Sequence, residues 1–167
     1  MEQIQTTQTS IQKTSPGDFF LHLLAIITLY ASAISFGTLI FNYINYFIPD
    51  PLQEGSYIRD AISSGIRWSI ATLIIVFPAY IITSWYLNKS YAVTPYKRNL
   101  RIRRWLIYFT LFVTALIIIG DLVGLVYGLL GGLELTLRFI LKVLTVLFIT
   151  GSVFWYYLWD IRKYKTE

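Results

Sequence analysis

The sequence predicts an all-α protein, a four-helix transmembrane bundle with both termini cytoplasmic. Three observations predict it. Hydrophobic residues make up 56% of the 167 residues and charged residues 14%, whereas a soluble domain averages about 25% charged residues. The apolar residues form four long runs, each exceeding the ~20 residues that cross a bilayer. The basic residues of the connecting segments fall on one side of those runs.

The predicted transmembrane domain covers residues 15–160, with spans at about 19–47, 61–87, 105–130 and 134–159. A flexible polar tail, 1–14, precedes it, and a basic cytoplasmic end, 161–167, follows. The segment Ser15-Pro16-Gly17-Asp18 offers an N-cap, a proline at the first helical position and an acid in the first turn, which predicts the start of helix one. The first run is too long for a signal-peptide core and no basic segment precedes it, so we expect it to remain in the mature protein.

The connections between the spans carry turn signals. Asp50-Pro51 and Gly55 mark a polar loop after span one, and Gly131-Gly132 marks a very short turn between spans three and four. Pro78 lies inside span two, where a proline removes one backbone hydrogen bond and is expected to kink the helix. Thr94-Pro95 predicts a helix start within the basic connector that precedes span three.

The orientation follows from the distribution of Lys and Arg. If the tail, the connector and the C-terminal end lie on one side of the membrane, Arg59 is the one basic residue left in the loops of the other side. Because cytoplasmic loops carry the excess of basic residues, both termini are predicted to be cytoplasmic. The basic residues of the tail, the connector and the C-terminal end are Lys13, Lys89, Lys97, Arg98, Arg101, Arg103, Arg104, Arg162, Lys163 and Lys165. The same topology accounts for the net charge of +5, so we expect no nucleic-acid partner.

Charged residues inside the spans form a candidate intramembrane cluster, because each costs roughly 2.5–3.5 kcal/mol at a helix centre unless it is paired or reaches the interface. Asp121 and Lys142 are equally far from the Gly131-Gly132 turn, which predicts equal depth and an ion pair. Glu134, Arg138 and Lys142 recur at i, i+4 and i+8, hence on one face of span four. The full cluster is Arg67, Asp121, Glu134, Arg138 and Lys142.

Two interpretations of this cluster stay open. In one, Asp121–Lys142 is a structural ion pair and the two arginines extend to the outer phosphates. In the other, the surplus of one positive charge binds an anion, a proton or a lipid headgroup.

Gly120, Gly124 and Gly128 form two overlapping G-x-x-x-G patterns in span three. Such patterns let a second helix backbone approach closely in lipid. The partner is span one, where Ala33 and Gly37 have the same spacing, or another subunit, and packing within the chain is the simpler interpretation.

The sequence contains few groups for catalysis. There is no Cys, and His22 is the single histidine, so we expect neither a metal site nor haem ligation and read His22 as an interfacial or hydrogen-bonded residue. Phosphate-binding, dinucleotide and nucleophile motifs do not occur. We therefore predict no enzyme, no catalytic residue and no cofactor, although Asp121 with Lys142 would be the pair to test for proton exchange. Arg98, Arg101 and Arg104 repeat every third residue as in a voltage-sensing helix, but their place at a helix entry indicates attraction to anionic lipid headgroups.

The chain resembles a bacterial membrane family known as domain of unknown function 5671. The resemblance rests on Ser15-Pro16-Gly17-Asp18-Phe19-Phe20-Leu21-His22-Leu23, on Leu29-Tyr30-Ala31-Ser32 and on Asp50-Pro51. Gly120-Asp121-Leu122 and Tyr157-Leu158-Trp159-Asp160 extend it over nearly the whole chain after the tail. It implies a four-span protein of the bacterial inner membrane and carries over no activity, cofactor or catalytic residue.

Two functions follow as hypotheses. The first is a small structural or accessory subunit that acts through helix–helix contacts, as a homo-oligomer or in a larger membrane complex. The second is a transporter, channel or lipid-binding protein that uses the outer-leaflet charges. Membrane lipids are the partners expected in either case.

Overall fold

The chain folds into four long helices. The computed structural model describes residues 15–49, 55–94, 97, 100–131 and 136–163. Over these residues the helices are α1 (Pro16–Phe47), α2 (Ser56–Val93), α3 (Arg101–Leu130) and α4 (Leu137–Lys163). All four are long and apolar enough to cross a membrane, so the predicted all-α, four-span architecture is confirmed. Residues 1–14, Glu134 and Gly132 lie outside the described residues.

The start of α1 is where the sequence predicts it. Ser15 is the N-cap and Pro16 the first helical residue, but the Ser15 side chain makes no capping hydrogen bond. Its carbonyl oxygen instead accepts the first helical bond, from the Phe19 amide at 3.1 Å. The carboxylate of Asp18 lies in the first turn, where the helix dipole favours a negative charge.

Helix α2 is the longest element. It runs for 38 residues and passes through Pro78 without ending, as membrane helices can when neighbouring groups satisfy the freed carbonyl. It extends beyond the predicted span at both ends.

Consecutive helices run antiparallel. The beginning of α1, the end of α2, the beginning of α3 and the end of α4 meet around one cavity, and we call this side of the bundle the basic end. The other side, where α1 leads to α2 and α3 leads to α4, is the opposite end. Helix α1 contacts each of the other three helices, with α2 as its main partner, while α3 packs mainly on α4.

Small hydroxyl side chains occupy much of the interior. Thr110 is fully buried and Thr114 almost so; their hydroxyls donate to the carbonyls of Leu106 and Thr110 at 2.9 Å. Thr83 and Thr150 bond their own helices in the same way. Because each of these four threonine hydroxyls is satisfied within its helix, neighbouring backbones can pack closely against it. The buried hydroxyls of Ser32 and Ser69 find no hydrogen-bond partner among the described residues.

The outer surface is apolar. Large side chains such as Ile75, Phe148 and Leu130 are more than two-thirds exposed. Four tryptophans near the basic end, Trp85, Trp105, Trp155 and Trp159, are also exposed, as expected of residues at a membrane interface. A surface of this kind is stable when lipid covers it.

Candidate functional site

A buried histidine begins a chain of polar contacts at the basic end. His22 of α1 is 5% exposed. Its Nδ1 lies 2.6 Å from the carbonyl oxygen of Asp18, and its Nε2 lies 2.6 Å from the Tyr91 hydroxyl of α2. A carbonyl oxygen only accepts, so Nδ1 carries the proton and Nε2 accepts from Tyr91. Both ring nitrogens are therefore used, and the sequence-based reading of His22 as a hydrogen-bonded residue agrees with this geometry.

Tyr91 links the histidine to the other two helices. The Arg103 guanidinium of α3 lies over the Tyr91 ring, 5.2 Å from its centroid, which is cation–π distance. Arg103 Nη2 also donates to Asp160 Oδ2 of α4. The side chains of that ion pair are only 15% and 16% exposed, so little solvent screens it. Each helix thus contributes one member to a continuous set, His22, Tyr91, Arg103 and Asp160, which we call the polar chain.

A second ion pair joins the connector between α2 and α3 to the beginning of α1. Lys97 Nζ donates to Asp18 Oδ1 at 3.0 Å. Asp18 therefore uses its carbonyl for His22 and its carboxylate for Lys97. Lys97 and Arg103, which lie beside the arginines assigned to lipid headgroups, thus bind acids of α1 and α4.

A cavity of about 70 Å³ lies beside the polar chain. Its walls come from all four helices and include His22, Asn88, Tyr91, Arg103 and Asp160. Aromatic hydroxyls are added by Tyr80, Tyr156 and Tyr157. A space of this size with several hydrogen-bonding groups holds a few water molecules or one small polar group.

The structure describes four of the five residues of the cluster predicted at the opposite end, and no ion pair joins any two of these four. Arg138 Nε donates to Asn45 Oδ1 of α1 at 3.0 Å, and Lys142 Nζ lies 5.7 Å from the Phe41 ring centroid. Both cations therefore turn towards α1. The predicted pairing of Lys142 with Asp121 is wrong, since no ion pair joins these two described residues. Equal distance from the turn fixes depth, but the direction of each side chain around its helix axis decides which residue it meets.

The other members of that cluster stand apart. Arg67 is exposed and its Nε donates to the Ser63 carbonyl of its own helix at 3.3 Å. Asp121 Oδ2 is buried and finds no hydrogen-bond partner within the described part of the chain. Glu134 lies outside the described residues. Across those residues, no group of three His, Asp or Glu side chains is placed to hold a metal ion.

The glycine stripe of α3 does not pack against α1. A Cβ added at Gly120 or Gly124 would meet no described atom within 4 Å, although Gly128 is buried. Gly37 of α1 approaches α4 instead, where an added Cβ would lie 3.4 Å from Ile149 Cδ1. Packing of the stripe within the chain, the simpler sequence interpretation, is therefore wrong for Gly120 and Gly124.

A close contact between α1 and α2 involves a glycine that sequence reasoning missed. A Cβ at Gly65 of α2 would lie 2.7 Å from Asn42 Nδ2 of α1. Tyr91, Arg103 and Asp160 were also not predicted as site residues. The sequence does indicate that all four helices begin or end on the side that carries most of the cations, but this does not single out these three residues.

Together, these features define a multi-pass helical membrane protein with a polar, four-helix cavity at its basic end. The chain belongs to the family described as Domain of unknown function (DUF5671), whose model matches residues 18–157. That match confirms the resemblance found in the sequence. Neither the curated proteins nor the solved structures contain a match to the chain.

Proposed function

We propose that this protein is a small structural or accessory subunit of the membrane, which acts by packing the open face of α3 against another transmembrane helix. The observation that supports the proposal is the environment of Asp121. Its buried Oδ2 has no hydrogen-bond partner among the described residues, beside two glycines, Gly120 and Gly124, with open space above them. An ionisable group within a span is expensive unless something pairs with it.

A second copy of the chain is the partner that fits first. Arg67 is exposed on α2 and bonds its own helix. At 1.5 Å per residue it lies about 17 Å from the Ser56 end of α2, and Asp121 lies about 14 Å from the Leu130 end of α3. Both ends face the same side of the bundle, so the two groups have similar depth. Oδ2 is covered within the chain, but Asp121 as a whole is only half-buried, so a guanidinium from one copy is able to pair with the other carboxylate oxygen of the next.

Disulfide trapping in native membranes tests the contact. Because the chain has no cysteine, the introduced cysteines carry the only thiols of each variant. Val123→Cys places a thiol on the exposed surface next to Gly124, and Ile75→Cys on α2 is the matched control, since both residues are largely exposed. Because the proposed pair joins α3 of one copy to α2 of the next, we expect a covalent dimer when Val123→Cys is combined with Trp68→Cys, an exposed position beside Arg67. Adding Gly124→Leu should abolish this dimer, and Ile75→Cys in place of Trp68→Cys should give little. Equal dimer from both cysteine pairs would indicate random collision and overturn the proposal.

The bacterial inner membrane is the proposed location, with both termini on the cytoplasmic side. The support is the excess of Lys and Arg around the basic end. Single-cysteine variants Ser15→Cys and Ser56→Cys lie at opposite ends of the bundle. In intact cells a membrane-impermeant maleimide should label Ser56→Cys and reach Ser15→Cys only after permeabilisation; the reverse pattern would invert the topology.

The alternative function is a transporter, channel or lipid-binding protein with an anion, proton or headgroup site at the opposite end. Arg138 and Lys142 turn to neutral partners on α1, so the cations do not converge on one space. Liposome flux with Arg138→Gln is its test, and a lost flux with intact folding would restore it.

A further inference from the structure

An apolar groove runs along the middle of the bundle. It encloses about 540 Å³ between α1, α3 and α4, and Ala33, Gly37, Val113 and Ile149 are among its walls. This volume is within the ~300–1,000 Å³ range of small-molecule sites. The groove lies in segments long and apolar enough to cross a membrane, so the surroundings of its opening are hydrocarbon rather than water.

The groove continues the polar cavity of the basic end. On α1 the cavity wall includes Ile26 and the groove wall begins at Leu29. On α4 the corresponding residues are Tyr157 and Val153. These steps are about one helical turn, some 5 Å. Along two helices, therefore, a polar space gives way directly to an apolar one.

A hydrogen bond marks the boundary between the two spaces. The Tyr30 hydroxyl of α1 donates to Thr110 Oγ1 of α3 at 3.1 Å. Tyr30 lines the groove, and the tyrosines Tyr80 and Tyr157 line the cavity. The transition from hydroxyl-lined to hydrocarbon-lined walls thus occurs at one level in the bundle.

Cations outnumber acids at the basic end, where the polar cavity lies. Around the basic end the described residues include seven cations against the two acids Asp18 and Asp160. The cations are Lys89, Lys97, Arg101, Arg103, Arg104, Arg162 and Lys163. Clusters of this kind attract anionic lipid headgroups, at about 1 kcal/mol per cation near the surface.

We propose that the cavity and the groove together bind one anionic phospholipid, with the phosphate headgroup beside Arg103 and one acyl chain in the groove. A phospholipid has a negatively charged headgroup at the membrane surface and a hydrocarbon chain below it. The site has the same arrangement, with the polar cavity at the basic end and the apolar groove below it. The site is separate from the α3 contact proposed above, so either proposal can fail alone.

The first experiment is native mass spectrometry from nanodiscs that contain equal amounts of phosphatidylglycerol and phosphatidylcholine with the same acyl chains. We expect one phosphatidylglycerol to remain bound. Ala33→Phe fills the groove and should lower the bound fraction about tenfold, a difference of ~1.4 kcal/mol. Ile75→Phe, on the exposed surface of α2, is the matched control and should change nothing. Equal retention of the two lipids, or equal effects of the two variants, would overturn the proposal.

The headgroup is tested by removing charge in pairs. Arg103→Gln with Asp160→Asn removes both members of the buried ion pair and should abolish the preference for phosphatidylglycerol. Arg59→Gln, on an exposed cation at the opposite end of the bundle, should retain it. Millimolar inorganic phosphate should not displace the bound lipid. Displacement by phosphate alone would show a site for a soluble anion and contradict the lipid assignment.

A photoreactive acyl chain gives a readout on the unmodified protein. A phosphatidylglycerol with a diazirine near the middle of its chain should label α1, α3 and α4 around Gly37, Val113 and Ile149. Labelling spread equally over the exposed α2 surface at Ile74 and Ile75 would show ordinary surrounding lipid and overturn the proposal.

Discussion

The two ends of the bundle carry similar charged residues and use them differently. At the basic end, Arg103 pairs with Asp160 and Lys97 with Asp18, each bond joining separate parts of the chain. At the opposite end, Arg138 and Lys142 meet an amide and an aromatic ring of α1. The charge types are alike, so the residues that each side chain meets make the difference. Among the described residues, the basic end is where the side chains form a connected polar site across all four helices.

The largest predicted effect comes from breaking the buried ion pair of the polar chain. Asp160→Ala leaves the Arg103 guanidinium without its acid at a position that is only 15% exposed. We expect the free energy of unfolding to fall by about 3 kcal/mol. Reversible unfolding in a detergent–SDS mixture measures it. Arg101→Ala, on an exposed cation, is the control, and an equal loss there would show that the pair has no special role.

Tyr91→Phe should have the next largest effect. The ring under Arg103 remains, but His22 Nε2 loses its donor in a buried site. An unsatisfied buried acceptor costs about 1–3 kcal/mol. Tyr86→Phe removes an exposed hydroxyl from the same helix and should cost nothing measurable. If the two variants were equally stable, the His22–Tyr91 bond would not stabilise the fold.

Glycine substitutions distinguish contacts inside the chain from contacts outside it. Gly65→Ala places a Cβ 2.7 Å from Asn42 Nδ2, so the amide must move away from its bond to the Thr38 carbonyl. The lost bond costs about 1 kcal/mol, which offsets the helix propensity that alanine adds. Gly120→Ala meets open space and should leave the monomer at least as stable, because alanine favours helix. Unfolding measured on the detergent-solubilised monomer compares them. A larger loss from Gly120→Ala would mean that α3 packs within the chain after all.

The smallest effect is predicted for Arg67→Gln. The side chain is exposed and bonds its own helix, and substitutions of this kind stay within about 0.5 kcal/mol. In the disulfide-trapping assay, however, the same change should weaken the dimer trapped between Val123→Cys and Trp68→Cys if Arg67 pairs with Asp121 of a second copy. If Arg67→Gln lowered the free energy of unfolding but left the amount of trapped dimer unchanged, Arg67 would act within the chain and not between copies.

Sequence reasoning predicted the architecture well for a physical reason. Long apolar runs have few alternatives to crossing a bilayer, and Ser15-Pro16 specifies a helix start locally. The depth of Asp121 and Lys142 was also within reach, because helical rise is constant. Their pairing was not, since rotation about a helix axis depends on how all four helices pack. Tyr91 and Gly65 act through contacts with residues far along the chain, which no local pattern encodes.

A pair of double-mutant cycles tests the contrast between the two ends most directly. One cycle combines Arg103→Gln with Asp160→Asn, and the other combines Asp121→Asn with Lys142→Gln, both by reversible unfolding. The structure predicts a coupling energy above about 1 kcal/mol for the first pair and close to zero for the second. Coupling between Asp121 and Lys142, with none between Arg103 and Asp160, would contradict the placement of the assembled polar site at the basic end.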